Sequence, residues 1–494
     1  MLRACVLSFV SVEVGCLVTP RAVFRRGTRR VQSAPALEDL APSWEALEVL
    51  LAASETGQRL SREVEERESG PPHVDATTRT FDGDESSIRV TFYRDAAAWC
   101  PYCQKVWLFL EEHRIPYRVE KVPLDAYGYK PTAFSRLVDG GKLPALVLDG
   151  TLHVESQGIM EVLAASWGVA TPGDERWEAL EDDLMRDWFS LAFYPVEGER
   201  LEAARAALDG TLRRFDDMLG ATPGPWAFGG DAPTLWDVRL VPTIERLAAS
   251  VLYWKGTEVP GAAHSAVAAW LEAWDARPSY RATRGDAYSL VMAMPSQNGP
   301  GYAVEAARAA SARVYGLDGA WELPLPGGDD EGARHEAAFA LVRNHENVSR
   351  FAARGASDPG LPAFHAELAD PNAVPNDRYV GPVDVCLRHV AHALIVGAGV
   401  ATDACRRDLG GAADGDDLAD GWGGYDDAEG RPYWWNEITG ESTWDPPTRR
   451  LDNCLSYLRA RVGVPRDMGP GAAMQLRAHL SWAIALMEPP HVRS

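Results

Sequence analysis

A chain of 494 residues with 46% hydrophobic and 24% charged residues is too long for one core but ordinary for soluble globular units, so two to four are expected. Its formal net charge of −22 argues against a nucleic-acid partner, because a phosphate polyanion would be repelled. The seven cysteines (Cys5, Cys16, Cys100, Cys103, Cys386, Cys405, Cys454) are too few and too scattered for a disulfide-built secreted scaffold, so the chain reads as intracellular and reduced.

Residues 1–36 read as a targeting leader. The first 34 carry six arginines against one glutamate, the acid-poor composition of an organelle transit peptide. The run from Ala4 to Val18, interrupted by Glu13, is built like the core of a signal peptide. A combined signal and transit leader to a plastid explains both halves; the alternative is a tail on a cytoplasmic protein. Residues 37–86 form a helical extension and linker, with Trp44, Leu47 and Leu51 on one face and Ser43 as N-cap. From Ile88 the pattern runs strand, helix, strand, helix, strand, strand, helix, which makes an α/β unit with a mixed sheet over 87–170. Residues 171–292 read as all helix, and 293–415 as a helical extension broken by Gly/Pro/Asp-rich loops. Residues 391–401 read as one buried helix, too short to span a bilayer, and no membrane association is expected. A Trp-rich segment occupies 416–450. Two amphipathic helices within 451–494 complete the extension, with Leu451, Leu455, Leu458 and Val462 on the first and Leu476, Leu480, Ala483 and Met487 on the second.

The chemistry centres on "RDAAAWCPYCQKVWLFLEEHRIPY", residues 94–117. Zinc needs four ligands and C-x-x-C supplies two. No second C-x-x-C or H-x-x-x-H pair exists, and haem attachment would need histidine where Gln104 stands; no metal is expected. A strand followed by this motif and an apolar-periodic helix puts Cys100 at the helix start. There free N–H groups and the positive end of the dipole favour a thiolate. Pro101 suits the first turn, and Cys103, one turn on, can close a disulfide with Cys100. The alternative is an inert pair of core cysteines.

C-P-Y-C opening a helix after a strand resembles the glutaredoxin active-site sequence. "GKLPALVLDG" followed by "VES" resembles the N-terminal domain of the glutathione transferase family, and "AFGGDAPTLWDVRLVPTIERL" its capping segment, with Thr234 and Asp237 as the S/T-x-x-D pair. The resemblance covers about residues 88–290 and is nearest the cysteine-type classes (omega, lambda and dehydroascorbate-reductase-like), including plastid plant and algal members with a helical tail. It implies a thioredoxin-like α/β N-terminal domain, an all-α C-terminal domain, a homodimer and glutathione as co-substrate. Residue by residue it implies Cys100 facing the glutathione sulfur, with Tyr102 beside it, and Lys130 reaching the glycyl end. Leu143 before a cis Pro144 would pair with the tripeptide main chain, and Glu155 and Ser156 would grip the γ-glutamyl group. Glu155 and Ser156 read alternatively as caps of the next helix. Cys103 departs from the omega pattern and adds a second thiol, so both monothiol and dithiol cycles are open.

"GWGGYDDAEGRPYWWNEITGESTWDPP" (421–447) resembles a WW domain, a small three-stranded antiparallel sheet. The resemblance implies a small core of Trp422, Trp434, Asn436 and Pro447. Tyr433, Ser442 and Trp444 would form a face for a proline-rich partner, whose polyproline II helix is already extended. Glu437 and Trp435 depart from the pattern of Pro-Pro-x-Tyr binders.

Weaker signals are Cys386, His389 and His392, whose spacing spreads them over about 120° of helix surface, so packing or solvated histidines are expected rather than a metal site. Trp188, Phe193 and Tyr194 offer a wall for an electrophile pocket or simply core. The expected activity is thiol–disulfide exchange on a small or protein disulfide, with glutathione regenerating Cys100. Conjugation of glutathione to electrophiles, and a non-catalytic adaptor working through the WW groove, are the alternatives.

Overall fold

The computed structural model describes residues 37–124, 128–325, 330–357, 368, 373–410, 417–418, 422–426, 431–436, 442–443, 448–449, 451–463 and 466–487. The expected leader lies outside them. Residues 33–415 and 450–494 form one unit, and residues 416–449 belong to another.

In the larger unit, Ser43 caps α1 (Trp44–Ala52) by accepting the Ala46 N–H, as its position before Trp44 predicts. Leu47 and Leu51 are buried. A second helix, α2 (Glu55–Glu65), follows. The stretch read as a passive linker is not one. Its Thr78–Arg79 pair forms an edge strand, β1, antiparallel to Tyr117–Arg118. Arg79 is buried and donates through two nitrogens to Glu111, each at 2.9 Å, and also to the carbonyls of Arg67 and Gly70. A guanidinium so buried is tolerable only when its donors find acceptors.

The α/β layer follows in the predicted order: β2 (Val90–Asp95), α3 (Pro101–Glu112), β3 (Tyr117–Val122), α4 (Thr132–Leu137), β4 (Ala145–Leu148), β5 (Thr151–Val154) and α5 (Ser156–Trp167). The sheet order is β1-β3-β2-β4-β5, with β2 and β3 parallel and the other pairs antiparallel. The helical layer comprises α6 (Glu175–Ala192), α7 (Gly198–Gly220), α8 (Leu235–Lys255), α9 (Ser265–Asp275) and α10 (Pro278–Thr283). Helix α8 is central and packs on α3 and α6. The Thr234–Asp237 capping box starts it, and Asp237, fully buried, also accepts Trp270 Nε1–H at 2.7 Å and the Ala227 N–H at 2.9 Å. This core does not stop at residue 292. It continues through α11 (Ala287–Ala293) and Met294, past α12 (Pro295–Asn298), which buries none of its residues, to α13 (Arg308–Tyr315) and Trp321.

A second core lies within the same unit. It is built by α14 (Glu331–Ala352), α15 (Asp377–Val396), α16 (Ala398–Leu409), α17 (Leu451–Arg459) and α18 (Pro470–Met487), and α1 packs into it from the other end of the chain. Residues 391–401 are not one helix: Gly397, at φ +91°, breaks α15 from α16, a backbone angle that glycine adopts without penalty. Among the described residues no helix is long and apolar enough to cross a membrane.

The smaller unit holds β7 (Trp422–Asp426), β8 (Pro432–Asn436) and β9 (Ser442–Thr443) as a three-stranded antiparallel sheet, and β6 (Asp417–Leu418) paired with β10 (Thr448–Arg449). Tyr425 lies opposite Tyr433 and Trp435 opposite Ser442. Because side chains alternate along a strand, Tyr433 and Trp435 share one face with these partners, and Trp434 takes the other.

Candidate active site

Local sequence chemistry makes the site. Strand β2 ends at Asp95, and the chain turns through Ala96–Trp99 into α3. Cys100 is the N-cap of α3, with extended backbone (φ −63°, ψ 117°) and Pro101 in the first turn. Its Sγ accepts the Cys103 N–H at 3.4 Å. Cys100 is 6% exposed and Cys103 1%. Burial, followed by the hydrogen bond and charge of Cys100, pushes the Cys103 thiol far above its ordinary range. Cys103 therefore stays protonated at neutral pH.

The turn before Cys100 is held from three directions that spacing does not reveal. Asp95 Oδ2 accepts the Trp99 N–H at 2.6 Å. Arg246, buried on α8, donates to the Trp99 carbonyl at 2.7 Å and also to Gln104 Oε1. From the far end of the chain, the Arg466 N–H reaches the Ala97 carbonyl at 3.2 Å, while its guanidinium binds the carbonyls of Arg284, Ala282 and Arg281 at the end of α10. Beside the turn opens a cavity of about 310 Å³. Trp99, Pro101 and Tyr102 flank the cysteine; Met185, Trp188, Phe189, Leu290 and Met294 give it apolar walls, and Thr243, Arg246, Gln297 and Asn298 add polar groups. Of the three aromatics suggested as a wall, only Trp188 lines it. Phe193 is buried against Trp188, Phe189 and Trp254, and Tyr194 is exposed. Trp188 is held in place by its Nε1–H donating to Ser250 at 2.7 Å.

Tyr102 is nearly half exposed, and burial of the rest, then the charge at Cys100, raises its phenol, so it remains a neutral hydroxyl. Behind it Lys105 pairs with Glu181 at 2.8 Å, and Arg239 binds the same carboxylate. Burial pushes Glu181 up, but the two cations outweigh it and hold the carboxyl below its ordinary value.

Of the remaining predicted residues, Lys130 lies just before α4, Leu143 and Pro144 just before β4, and Glu155 and Ser156 where β5 passes into α5. The Leu143–Pro144 bond is cis, as expected. The stem of Lys130 passes Gly141, where an added Cβ would stand 3.3 Å from Lys130 Cδ; at φ +59° glycine suits that position doubly. Glu155 sits at φ +64° and ψ 119°, a conformation that costs a non-glycine residue on the order of 1–3 kcal/mol and that clusters at ligand clamps. Its side chain is exposed, 3.9 Å from Lys142 Nζ. Ser156 does not cap α5: it is the first helical residue, Glu155 precedes it as N-cap, and no side chain accepts a first-turn N–H there. Both side chains are thus left to other partners. In the smaller unit Tyr433 is half-buried, 5.8 Å from Tyr425 between ring centroids, and Ser442 is exposed. Trp444 and Pro447 lie outside the described residues. Of the suggested Cys386, His389 and His392 set, His389 is taken by Asp408 at 2.7 Å, both fully buried, which is packing as expected.

Comparison with known proteins fits this geometry. The family model described as glutathione S-transferase, N-terminal domain, matches residues 99–166, its C-terminal counterpart residues 198–273, and the WW domain model residues 418–447. Among curated proteins, the chain is 25% identical to "Glutathione S-transferase DHAR3, chloroplastic" of Arabidopsis thaliana over 39% of this chain and 71% of that protein. It is also 25% identical to "Glutathione S-transferase L3" of the same plant, over 39% and 81%. Among solved structures it is similar to glutathione transferase Omega 3C from Trametes versicolor (23% identity, 46% of this chain and 95% of that one, TM-score 0.36). It is likewise similar to the dehydroascorbate reductase of Chlamydomonas reinhardtii (23%, 42% and 98%, TM-score 0.36). The chain thus carries segments that match both glutathione S-transferase domain models, and a WW domain in addition.

Proposed function

We propose that this protein is a glutathione-dependent thiol transferase in which Cys100 is the nucleophile. The observation that carries the reading is the placement of the Cys100 sulfur at the start of α3, against the Cys103 N–H, between two residues that line the cavity. The Cys100 thiolate attacks the glutathionyl sulfur of a mixed disulfide. The disulfide bond breaks, the freed thiol leaves with a proton from solvent, and Cys100 carries the glutathionyl group. A second glutathione thiolate attacks that sulfur, regenerating the Cys100 thiolate and releasing glutathione disulfide. Because Cys103 is held as a thiol, the monothiol route is favoured over an internal disulfide. Lys130, Leu143, Pro144, Glu155 and Ser156 would hold the tripeptide. The strained Glu155 backbone supports that assignment, since it leaves the Glu155 side chain free of the helix it precedes.

The test is glutathione-driven reduction of hydroxyethyl disulfide, expected in the native protein and lost in Cys100→Ser. Turnover of chlorodinitrobenzene without disulfide reduction would replace this reading with conjugation. The same proposal takes the WW unit as a binder of proline-rich segments through Tyr433, Ser442 and Trp444, the chain as a homodimer, and residues 1–36 as a plastid leader. Support for the leader comes from its composition and from the chloroplastic name of one relative.

A further inference from the structure

Sequence spacing offers two metal ligands around Cys100; folding adds a third. One carboxylate oxygen of Asp95 and the Sγ atoms of Cys100 and Cys103 lie within 4.8 Å of one another, and all three residues are buried. Among the described residues this is the one group of three or more such donors to converge. Asp95 is 1% exposed, and while its Oδ2 holds the Trp99 N–H, its Oδ1 is buried with no hydrogen-bond partner. A buried carboxylate oxygen without a donor is costly unless something supplies positive charge. Arg94, next in the chain, lends Asp95 its charge but no hydrogen bond to that oxygen: its guanidinium donates to the Asp95 and Val74 carbonyls and stacks on Trp107.

We propose that Asp95, Cys100 and Cys103 bind a thiophilic divalent cation, zinc above all, at the mouth of α3. Two sulfurs and one carboxylate oxygen are a donor set for a borderline-soft ion. Zinc–sulfur bonds of about 2.3 Å in a tetrahedron set the sulfurs about 3.8 Å apart, within reach of the present spacing by small side-chain rotations. The ion carries three protein ligands and keeps a fourth position for water or an incoming thiolate. Each thiol that ligates releases its proton to solvent, and the lone pairs of Cys100 that would attack a disulfide are committed to the metal. Zinc therefore acts as a reversible block on the cysteine. The geometry stands independently of the transferase reading, although both use Cys100.

The test uses the full-length, reduced, metal-stripped protein without glutathione, titrated with zinc against a chromophoric chelator. One zinc equivalent is expected. Cobalt substitution should give a thiolate-to-cobalt charge-transfer band, and bound zinc should slow iodoacetamide alkylation of Cys100. Cys103→Ser and Asp95→Asn should each weaken zinc binding about tenfold or more, and Cys386→Ala should leave it unchanged. Retention of no zinc, a cobalt complex without the thiolate band, or full affinity in Cys103→Ser would each overturn the proposal. Should Asp95→Asn fail to fold, since it also braces Trp99, the cobalt band and Cys103→Ser decide. A protein that reduces disulfides but binds no zinc loses the metal site and keeps the proposed function; one that binds zinc but reduces none keeps the site and loses the function.

Discussion

Five cysteines are described in this molecule, two at the start of α3 and three in the second core, and only the first region places a sulfur at the N-cap of a helix. Cys386, Cys405 and Cys454 lie inside helices of the second core, each with no exposed surface. Burial pushes all three upward, Cys405 and Cys454 to about 12. Backbone hydrogen bonds at Cys386 and Cys454 pull the other way but do not offset that burial. Cys100 is nearly as hidden, at 6% exposed, but it stands where a helix begins and an N–H points at its sulfur. Cys103, one turn into the same helix, is buried and pushed up like the other three, so Cys100 alone among the described cysteines stands at a helix N-cap.

The sharpest way to break that contrast is substitution. Cys100→Ser should lower disulfide exchange by about a hundredfold or more, because a hydroxyl does not replace a thiolate nucleophile, whereas Cys386→Ala, Cys405→Ala and Cys454→Ala should each leave the rate of the folded protein unchanged. Stability against pH separates the regions next. The folded-state values of Cys405 and Cys454 are raised from a free thiol's 9.0, so above about pH 9 the unfolded chain loses protons that the folded one keeps. Stability is full below that pH and should fall towards pH 12 by about 1.4 kcal/mol per pH unit for each thiol. Urea unfolding of the Cys405→Ala/Cys454→Ala double variant should show a flatter decline over this window. A smaller effect tests the bracing of the site: Arg466→Ala removes the guanidinium bonds to three carbonyls and should lower exchange severalfold, through KM or kcat, without altering the alkylation of Cys386. The smallest effect belongs to Cys103→Ser, which should keep exchange within about a factor of three at pH 7, since a thiol held protonated contributes little to the cycle.

Much of the site could be read from local patterns. C-P-Y-C after a strand, the Thr234–Asp237 box and the Leu143–Pro144 bond are each specified by a few neighbouring residues, and each appears where expected. What escaped depends on residues far apart in sequence. Arg246 and Arg466 brace the turn before Cys100 across 147 and several hundred positions respectively, and an arginine's target is invisible until the chain folds. Asp95 belongs to no motif that would mark it as a neighbour of both cysteines. Arg79 sat in a stretch whose Gly-Pro-Pro composition suggested only a linker, yet it anchors an edge strand. Phe193 and Tyr194 failed as pocket walls because α6 ends at Ala192 and the chain turns away, leaving Met185 and Phe189, one turn apart on that helix, to line the cavity.

The grip of Arg466 on Ala97 has a consequence for synthesis. The strand and helix around Cys100 emerge from the ribosome early, but their last tether is made more than 360 residues later. A chain lacking that last segment would keep the Asp95 and Arg246 braces of the turn and lose the third. The turn before Cys100 would then reach its full set of braces only once residue 466 has been made, which ties the geometry of an early-made layer to a late stretch of the chain.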